Sequence, residues 1–147
     1  MTLSALRGKV VVLSFLYTNC PDVCPLTAEK LRDARDRLGG SASDLSLIAV
    51  SVDPRHDTPP ATAAFVRAHR LEGAMRFLVG DQASLARVWQ LYGVAALPSD
   101  TSTVVGHNDA IFLIDKQGRE RSLVHSDIDV EALAASLRIL LGESRLF

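Results

Sequence analysis

The first third of the chain alternates between continuously apolar segments and a segment with helical periodicity. Segments 9–17 (KVVVLSFLY) and 45–53 (LSLIAVSVD) are almost uninterrupted runs of apolar and β-branched residues, which are typical of strands buried on both faces of a sheet. Between them, segment 26–40 has apolar residues at helical spacing and ends at two glycines, which predicts an amphipathic helix. The predicted buried stripe of this helix comprises Leu26, Leu31, Ala34 and Leu38.

The remaining two thirds of the chain continue this alternation. A helix is predicted from Thr58, a side-chain cap followed by Pro59, to about residue 70. Asp57 is interpreted, like Thr58, as a capping residue only. The other predicted elements are a short strand over 76–80, a helix over 81–94, a hairpin over 109–125 that turns at 116–118, and a closing helix over 129–141. The helix over 81–94 is expected to present one apolar face, formed by Leu85, Val88, Trp89 and Tyr92.

The order of these elements indicates an α/β fold. A parallel crossover joins the first two strands, and the hairpin near the end of the chain adds antiparallel strands. The central sheet is therefore predicted to be mixed and flanked by helices, which is a thioredoxin-like layout. The whole chain, 1–147, is long enough to bury a core of its own and is expected to form a single domain.

Composition narrows the classes of partner. The chain is 48% hydrophobic and 22% charged, with a formal net charge of −1, so no basic excess exists to neutralise the phosphates of a nucleic acid or an anionic membrane. The longest apolar run, at 10–17, is far shorter than the roughly 20 residues of a transmembrane helix. The first residues do not resemble a signal peptide. We expect a soluble, monomeric chain without a nucleic-acid partner.

Both cysteines of the chain, Cys20 and Cys24, lie in the motif TNCPDVCP at 18–25. They follow the first predicted strand at its carboxyl end, where open α/β sheets collect ligands and chemistry. Pro25 suits the first helical position, so Cys24 is predicted to cap the helix, whose terminus favours a thiolate. The two cysteines alone are consistent with four interpretations: two thiols without a function, a small structural disulfide, a redox centre or part of a metal site. Two thiols are too few for structural zinc, whereas two thiolates and an imidazole suit Cu(I).

Four histidines are candidates for the third ligand. His69 and His125 are interpreted as solvated surface residues. His56, in the loop after the second strand, could approach the cysteines, although a lone loop histidine more often faces solvent. His107 is the leading candidate, because it precedes the strand expected beside the first strand and faces the cysteine loop. Oxidoreductases of this layout normally have a cis-proline there, and this chain has an Asn-Asp pair instead.

Three motifs, GKVVVLSFLYTNCPDVCP, SVDPRHDTP and VGHNDAIFLIDKQG, resemble in order and spacing the Sco (SenC-type) family over about residues 8–141. The resemblance implies a thioredoxin-fold copper protein that assists assembly of the binuclear copper site of cytochrome c oxidase. By position it implies that Cys20, Cys24 and His107 bind copper, as Cu(I) or Cu(II). It places Asp53 near the metal, with a role in copper chemistry or partner docking, although turn formation before Pro54 explains Asp53 equally well.

The resemblance also carries expectations about partners and location. The implied partners are the copper-site subunit of cytochrome c oxidase or another copper chaperone. Family members usually carry an N-terminal membrane anchor and a short β-hairpin before the glycine of the RGK motif at 7–9. We therefore expect the full-length form to be anchored on the extracytoplasmic, periplasmic side and this chain to be a soluble part of it. Gly106 stands where many relatives have an acid, so the surroundings of His107 are expected to differ.

Two other functions compete with the copper metallochaperone. The chain is also consistent with a thiol–disulfide oxidoreductase that reduces cysteines of a copper-site partner, with Cys20 and Cys24 as the redox pair and Cys20 as the attacking thiol. A peroxide-reducing thiol enzyme is less favoured. Its hydroxyl residue would have to be Thr18, two residues before Cys20, and the sequence places no arginine to polarise a peroxide.

Overall fold

A computed structural model describes residues 1–21, 23–94 and 109–143 of the chain. The strands are β1 (Val10–Leu16), β2 (Leu45–Ser51), β3 (Met75–Leu78), β4 (Ala110–Ile114) and β5 (Glu120–His125). The helices are α1 (Val23–Asp36), α2 (Pro59–Ala68), α3 (Gln82–Leu91) and α4 (Val130–Gly142). Two short 3₁₀ helices occupy Leu3–Leu6 and Gly39–Asp44. The predicted helices over 58–70 and 81–94 therefore each end two or three residues earlier than expected.

The described strands form one mixed sheet in the order β3-β2-β1-β4-β5. Strand β2 is parallel to both of its neighbours, β1 and β3, whereas β4 is antiparallel to both of its neighbours, β1 and β5. This arrangement confirms the predicted mixed sheet with its antiparallel hairpin. Leu16 is level with Ser51 in the register of β1 and β2, and β4 begins where these strands end, because it runs in the opposite direction. The loops after β1 and β2 and the entry to β4 thus share one edge of the sheet.

The buried face of α1 differs from the prediction in one residue. Leu31, Ala34 and Leu38 are buried, but Leu26 is 64% exposed. Leu26 precedes Leu31 by five residues, which places it about 140° around an ideal helix with 3.6 residues per turn. Cys24 precedes Leu31 by seven residues and so shares its face, where it is fully buried. The helix therefore buries Cys24 in the core and leaves Leu26 in solvent.

Helix α3 packs with its predicted apolar face towards the core. Leu85 and Trp89 are buried, and Val88 and Tyr92 are half-buried beside them. The Tyr92 ring lies with its centroid 5.1 Å from that of Phe112 on β4. The indole Nε1 of Trp89 donates a hydrogen bond to the carbonyl oxygen of Ser51 at 2.9 Å, which ties this helix to the last residue of β2.

The closing hairpin turns at the predicted position. Gly118 has a φ of 84°, a conformation that glycine adopts without a steric penalty. Before it, the carboxylate of Asp115 accepts hydrogen bonds from the backbone N–H groups of Gln117 at 2.9 Å and Arg119 at 3.0 Å. Within the part of the chain that the structure describes, no helix is both long and apolar enough to cross a membrane.

Candidate metal and thiol site

The cysteine loop connects β1 to α1 and brings both sulfurs to the start of the helix. Both cysteines are present as thiols, with Cys20 8% exposed and Cys24 fully buried. The backbone N–H of Cys20 donates to the carbonyl oxygen of Tyr17 at 3.3 Å, which closes a turn. The backbone N–H of Cys24 then donates to Sγ of Cys20 at 3.2 Å. The sulfur of Cys20 therefore accepts a hydrogen bond from the first turn of α1.

This geometry corrects the predicted role of Cys24. The described helix α1 includes Val23 and Cys24, so Cys24 lies inside the helix, and the sulfur that accepts an N–H there belongs to Cys20. Burial raises the pKa of the Cys24 thiol well above its ordinary value, and a side-chain hydrogen bond with Cys20 raises this pKa further. The expectation that the helix terminus favours a thiolate at Cys24 is wrong, because desolvation penalises the charged form.

Asp53 and His56 form a pair in the loop after β2. Asp53 is 1% exposed, and its Oδ2 lies 2.8 Å from Nδ1 of the half-buried His56. The backbone of Asp53 also forms the turn that the sequence suggested, since its carbonyl oxygen accepts hydrogen bonds from the N–H groups of His56 and Asp57. The side chain of Asp53 thus orients an imidazole while its backbone forms the turn.

Asp57 has a role that the sequence analysis missed. It is 3% exposed, and its Oδ1 accepts hydrogen bonds from the backbone N–H of Thr18 at 2.9 Å and from Oγ1 of Thr18 at 2.7 Å. Its Oδ2 accepts a hydrogen bond from Oγ of Ser51 at 2.6 Å. Burial raises the pKa of Asp57 above 3.8, although the hydrogen bonds from Ser51 and Thr18 act in the opposite direction. The interpretation of Asp57 as a helix cap is therefore wrong.

The capping of α2 belongs to the neighbouring residue, as predicted. The Oγ1 of Thr58 accepts a hydrogen bond from the backbone N–H of Ala61 at 3.3 Å, and Pro59 begins the helix. Since a helix has one N-cap residue, Thr58 makes a second cap at Asp57 redundant. That redundancy was the signal in the sequence that Asp57 serves another purpose.

Two further histidines contact acids away from the cysteines. His69 is not simply solvated: its Nδ1 lies 3.0 Å from Oε2 of Glu29 on α1, and its ring packs on Phe65 with centroids 4.5 Å apart. His125 is exposed at the end of β5, as predicted, with Nδ1 2.9 Å from Oδ1 of Asp109. The hydrogen bond from the Ser126 side chain, followed by that from His125, lowers the pKa of Asp109 to about 2.

His107 lies outside the described residues, as do Gly106 and Asn108. Among residues 1–21, 23–94 and 109–143, no three or more His, Cys, Asp or Glu side chains are grouped so that they could hold a metal ion. The described part of the site therefore supplies two neighbouring sulfur donors. Soft sulfur donors fit Cu(I) well, so the donor set agrees with the predicted metal.

Comparisons with known proteins bear on the family and the fold of this chain. A protein-family model described as SCO1/SenC matches residues 1–142. The chain belongs to the SCO1/SenC family. The chain is 26% identical over 133 residues to an SCO2-like protein of Rickettsia prowazekii, covering 87% of this chain and 64% of that relative. It therefore spans just under two thirds of that relative's length.

Solved structures of Sco proteins share the fold. ScoI of Bradyrhizobium japonicum, solved with copper bound, is 31% identical and matches with a TM-score of 0.84 over 95% of this chain and 90% of that one. Apo Sco1 of Thermus thermophilus is 30% identical, with a TM-score of 0.83 over 94% of this chain and 83% of that one. The predicted thioredoxin-like architecture is confirmed by these matches.

Proposed function

We propose that this chain binds one copper ion through the thiolates of Cys20 and Cys24 and the imidazole of His107, and passes it to an acceptor. The observation that carries the proposal is the pair of neighbouring buried thiols at the carboxyl end of β1. Support comes from the match to a relative solved with copper bound. Copper is cargo in this scheme, and the protein supplies soft sulfur donors from two buried residues.

Copper loading displaces protons from both thiols. Burial raises the pKa of Cys24, so binding of copper by its thiolate would require this thiol to release a proton. Copper affinity therefore falls as the pH is lowered, since protons compete for every ligand. Cys20 is slightly exposed and Cys24 is fully buried, so we expect the ion to meet Cys20 before Cys24.

A competition titration tests the ligand set. The reduced protein is titrated with Cu(I) against a coloured chelator, and with Cu(II) while the sulfur-to-copper absorption is recorded. We expect one equivalent of copper to bind, with lower affinity in His107→Ala. His125→Ala is the matched control, because it removes an exposed imidazole held by Asp109, and its affinity is expected to equal that of the wild type. Absence of stoichiometric binding, or equal affinity in His107→Ala, contradicts the proposal.

The acceptor we propose is the copper-site subunit of cytochrome c oxidase or another copper chaperone. One relative of known structure is described as a member of the Sco family of cytochrome c oxidase assembly proteins. We further propose that residues 1–147 act as one monomeric copper-binding domain of a protein anchored on the periplasmic side of a membrane. Mixing the loaded chain with a soluble copper-site domain tests transfer: the copper-thiolate absorption must leave this chain and the binuclear spectrum must appear on the acceptor.

A second candidate function is reduction of a partner's disulfide. It is favoured by the unequal environments of the thiols: Sγ of Cys20 accepts the N–H of Cys24, whereas burial holds Cys24 in the protonated form. The thiolate of Cys20 would attack a partner disulfide, forming a mixed disulfide and releasing one partner thiolate. Cys24, on losing its proton, would then attack the Cys20 sulfur, closing the intramolecular disulfide and releasing the second thiolate.

A trapping experiment separates the two functions. With Cys24→Ser, the mixed disulfide cannot be resolved and is expected to accumulate with a copper-site partner that has been oxidised to its disulfide. Reduction of that partner should be retained in His107→Ala, because an imidazole ligand takes no part in thiol exchange. If no adduct forms and no partner disulfide is reduced, the oxidoreductase function is ruled out.

A further inference from the structure

The carboxylate of Asp57 joins two segments that the sequence separates by 39 residues. Its Oδ1 holds both the N–H and the hydroxyl of Thr18, which lies two residues before Cys20, while its Oδ2 holds the hydroxyl of Ser51 at the end of β2. All three groups donate to the carboxylate, which suits an acceptor with two oxygens. The cysteine loop is therefore attached to the neighbouring strand through one buried side chain.

The hydroxyl of Ser51 extends this connection to the loop after β2. While donating to Asp57, Oγ of Ser51 accepts a hydrogen bond from the backbone N–H of Asp53 at 3.1 Å. Ser51 itself is fully buried, and its carbonyl oxygen is bonded by the indole of Trp89. The anchor for the cysteine loop is thus a buried polar network fixed to the core.

Asp57 contacts the turn over 17–20, which ends at Cys20, near its start. Tyr17 accepts the hydrogen bond that closes this turn, and the next residue, Thr18, is the one that Asp57 holds. Without Asp57, the N–H of the half-buried Thr18 loses its acceptor, and an unsatisfied donor disfavours this conformation of the loop. Displacement of the turn would also displace Sγ of Cys20 from the N–H of Cys24.

We propose that Asp57 is a positioning residue, which fixes the turn over 17–20 so that the sulfur of Cys20 stays at the first turn of α1, beside Cys24. This inference rests on the proposed function for its consequence in copper binding. Its structural content, the position of Cys20, is independent of copper and is tested separately.

The first arm of the test measures thiol chemistry in the metal-free protein. The alkylation rate of Cys20 with iodoacetamide and the thiol–disulfide equilibrium with glutathione are measured for wild type, Asp57→Ala and Asp57→Asn. We expect faster alkylation in Asp57→Ala, because the released turn exposes Cys20, a residue that is now only 8% exposed. Asp57→Asn should lie near wild type. Its Oδ1 can still accept from Thr18 and its amide can donate to Ser51.

The asparagine variant separates positioning from charge. If Asp57 acted on the thiols through its negative charge, Asp57→Asn and Asp57→Ala would change thiol chemistry equally. Equal effects therefore overturn the proposal, and rescue by asparagine supports it.

Asp115 provides the matched control. It is also a buried aspartate that accepts backbone hydrogen bonds, but it lies at the turn between β4 and β5. Asp115→Ala should lower stability without changing the alkylation rate of Cys20 under native conditions. An alkylation rate in Asp57→Ala no higher than in Asp115→Ala overturns the proposal.

If Asp57→Ala does not fold, a second pair of variants tests the same proposal. Thr18→Val removes the hydroxyl bond to Asp57 and keeps the N–H bond. Thr62→Val removes a comparable buried hydroxyl, which donates to Pro59 in α2 at 3.1 Å. Faster alkylation of Cys20 in Thr18→Val than in Thr62→Val supports the proposal, and equal rates contradict it.

The second arm measures Cu(I) affinity by chelator competition. Loss of a residue that orients ligands from outside the metal's own coordination costs about 10–100-fold in affinity, so we expect a loss of that order in Asp57→Ala and little loss in Asp57→Asn. If the wild type binds no copper, the proposed function fails while the thiol arm still decides the role of Asp57. If the wild type binds copper and Asp57→Ala binds it equally well, the proposed effect of Asp57 on copper binding is overturned and the proposed function stands.

Discussion

Two buried aspartates at opposite ends of the sheet are stabilised in different ways. At the turn between β4 and β5, the carboxylate of Asp115 accepts hydrogen bonds from Nε of Arg119 at 3.0 Å and from Nη1 of Arg121 at 3.2 Å. It also accepts hydrogen bonds from backbone N–H groups. At the opposite edge of the sheet, where the cysteines lie (the cysteine edge), the carboxylate of Asp57 accepts hydrogen bonds from one backbone N–H and two hydroxyls. Burial acts to raise the pKa of both. The hydrogen bonds outweigh burial for Asp115, whose pKa is lowered, but not for Asp57, whose pKa is raised.

This difference indicates what each end of the sheet can do. The arginines at the hairpin turn neutralise Asp115, and Arg121 also pairs with Glu143 at 2.6 Å, so charge there is balanced within the protein. At the cysteine edge, Asp57 is held by neutral donors, and Cys24 is a buried thiol with a raised pKa. The carboxylate at the hairpin turn is thus paired with arginines, whereas the carboxylate at the cysteine edge serves as an acceptor for neutral donors of the cysteine loop and of β2.

The largest expected effect comes from removing a sulfur. Cys20→Ser or Cys24→Ser replaces a soft donor with a hard one, and we expect Cu(I) affinity to fall by more than the roughly 100-fold that marks the loss of an outer partner. Chelator competition measures the loss. Asp115→Ala, at the other end of the sheet, should leave the affinity unchanged. If Cu(I) affinity falls equally in the cysteine variants and in Asp115→Ala, copper binding does not distinguish the two ends of the sheet.

The second prediction concerns stability: replacing either aspartate should lower the free energy of unfolding by a similar amount. Each replacement by alanine removes a buried carboxylate that accepts several hydrogen bonds, and each is expected to lower the free energy of unfolding by about 1–3 kcal/mol. Urea denaturation monitored by the single tryptophan, Trp89, measures both losses. If only Asp57→Ala changes copper affinity while both lose similar stability, the functional difference between the ends is separated from folding.

The third prediction concerns pH: the contributions of the two aspartates to stability should change in opposite directions as the pH rises. The pKa of Asp115 is lowered, so the unfolded chain binds more protons and the stabilisation by Asp115 is lost as the pH falls below 3.8 towards its folded pKa. The pKa of Asp57 is raised, so the folded chain binds more protons. Its contribution is fully present below 3.8 and is lost as the pH rises through the folded pKa.

Urea denaturation from about pH 3 to pH 7 checks these signs with asparagine variants. The stability difference between wild type and Asp115→Asn should grow as the pH rises, whereas the difference between wild type and Asp57→Asn should shrink. Two differences that change in the same direction would show that the two carboxylates share one electrostatic environment.

The strands and the position of the cysteines at the edge of the sheet could be predicted because they depend on local sequence. The apolar runs over 10–16 and 45–51 have no polar face, so they had to lie inside a sheet, and this placed the cysteines at its edge. The start of α1 was misplaced because Pro25 fits a first helical position. The sulfur of Cys20, four residues before Cys24, accepts the N–H that begins the helix, and a propensity argument does not include that contact.

The role of Asp57 could not be predicted for a different reason. Its partner Thr18 lies 39 residues away in sequence, and their contact exists only once β1 and β2 are paired. Local rules for helix starts therefore assigned Asp57 to the nearest helix. The contact between His69 and Glu29, 40 residues apart, was missed in the same way. His107 stays a prediction, since it lies outside the described residues.

The smallest expected effect tests whether the influence on the cysteine edge belongs to Asp57 alone or to the whole start of α2. Thr58→Ala removes the side-chain cap and should lower the free energy of unfolding by about 1 kcal/mol. Because the Thr58 hydroxyl bonds Ala61 and not the cysteine loop, the alkylation rate of Cys20 should stay at the wild-type value. If Thr58→Ala accelerates alkylation as much as Asp57→Ala does, fraying of α2 is sufficient to move the cysteine loop. The carboxylate would then not be the element that distinguishes this end of the sheet from the hairpin turn.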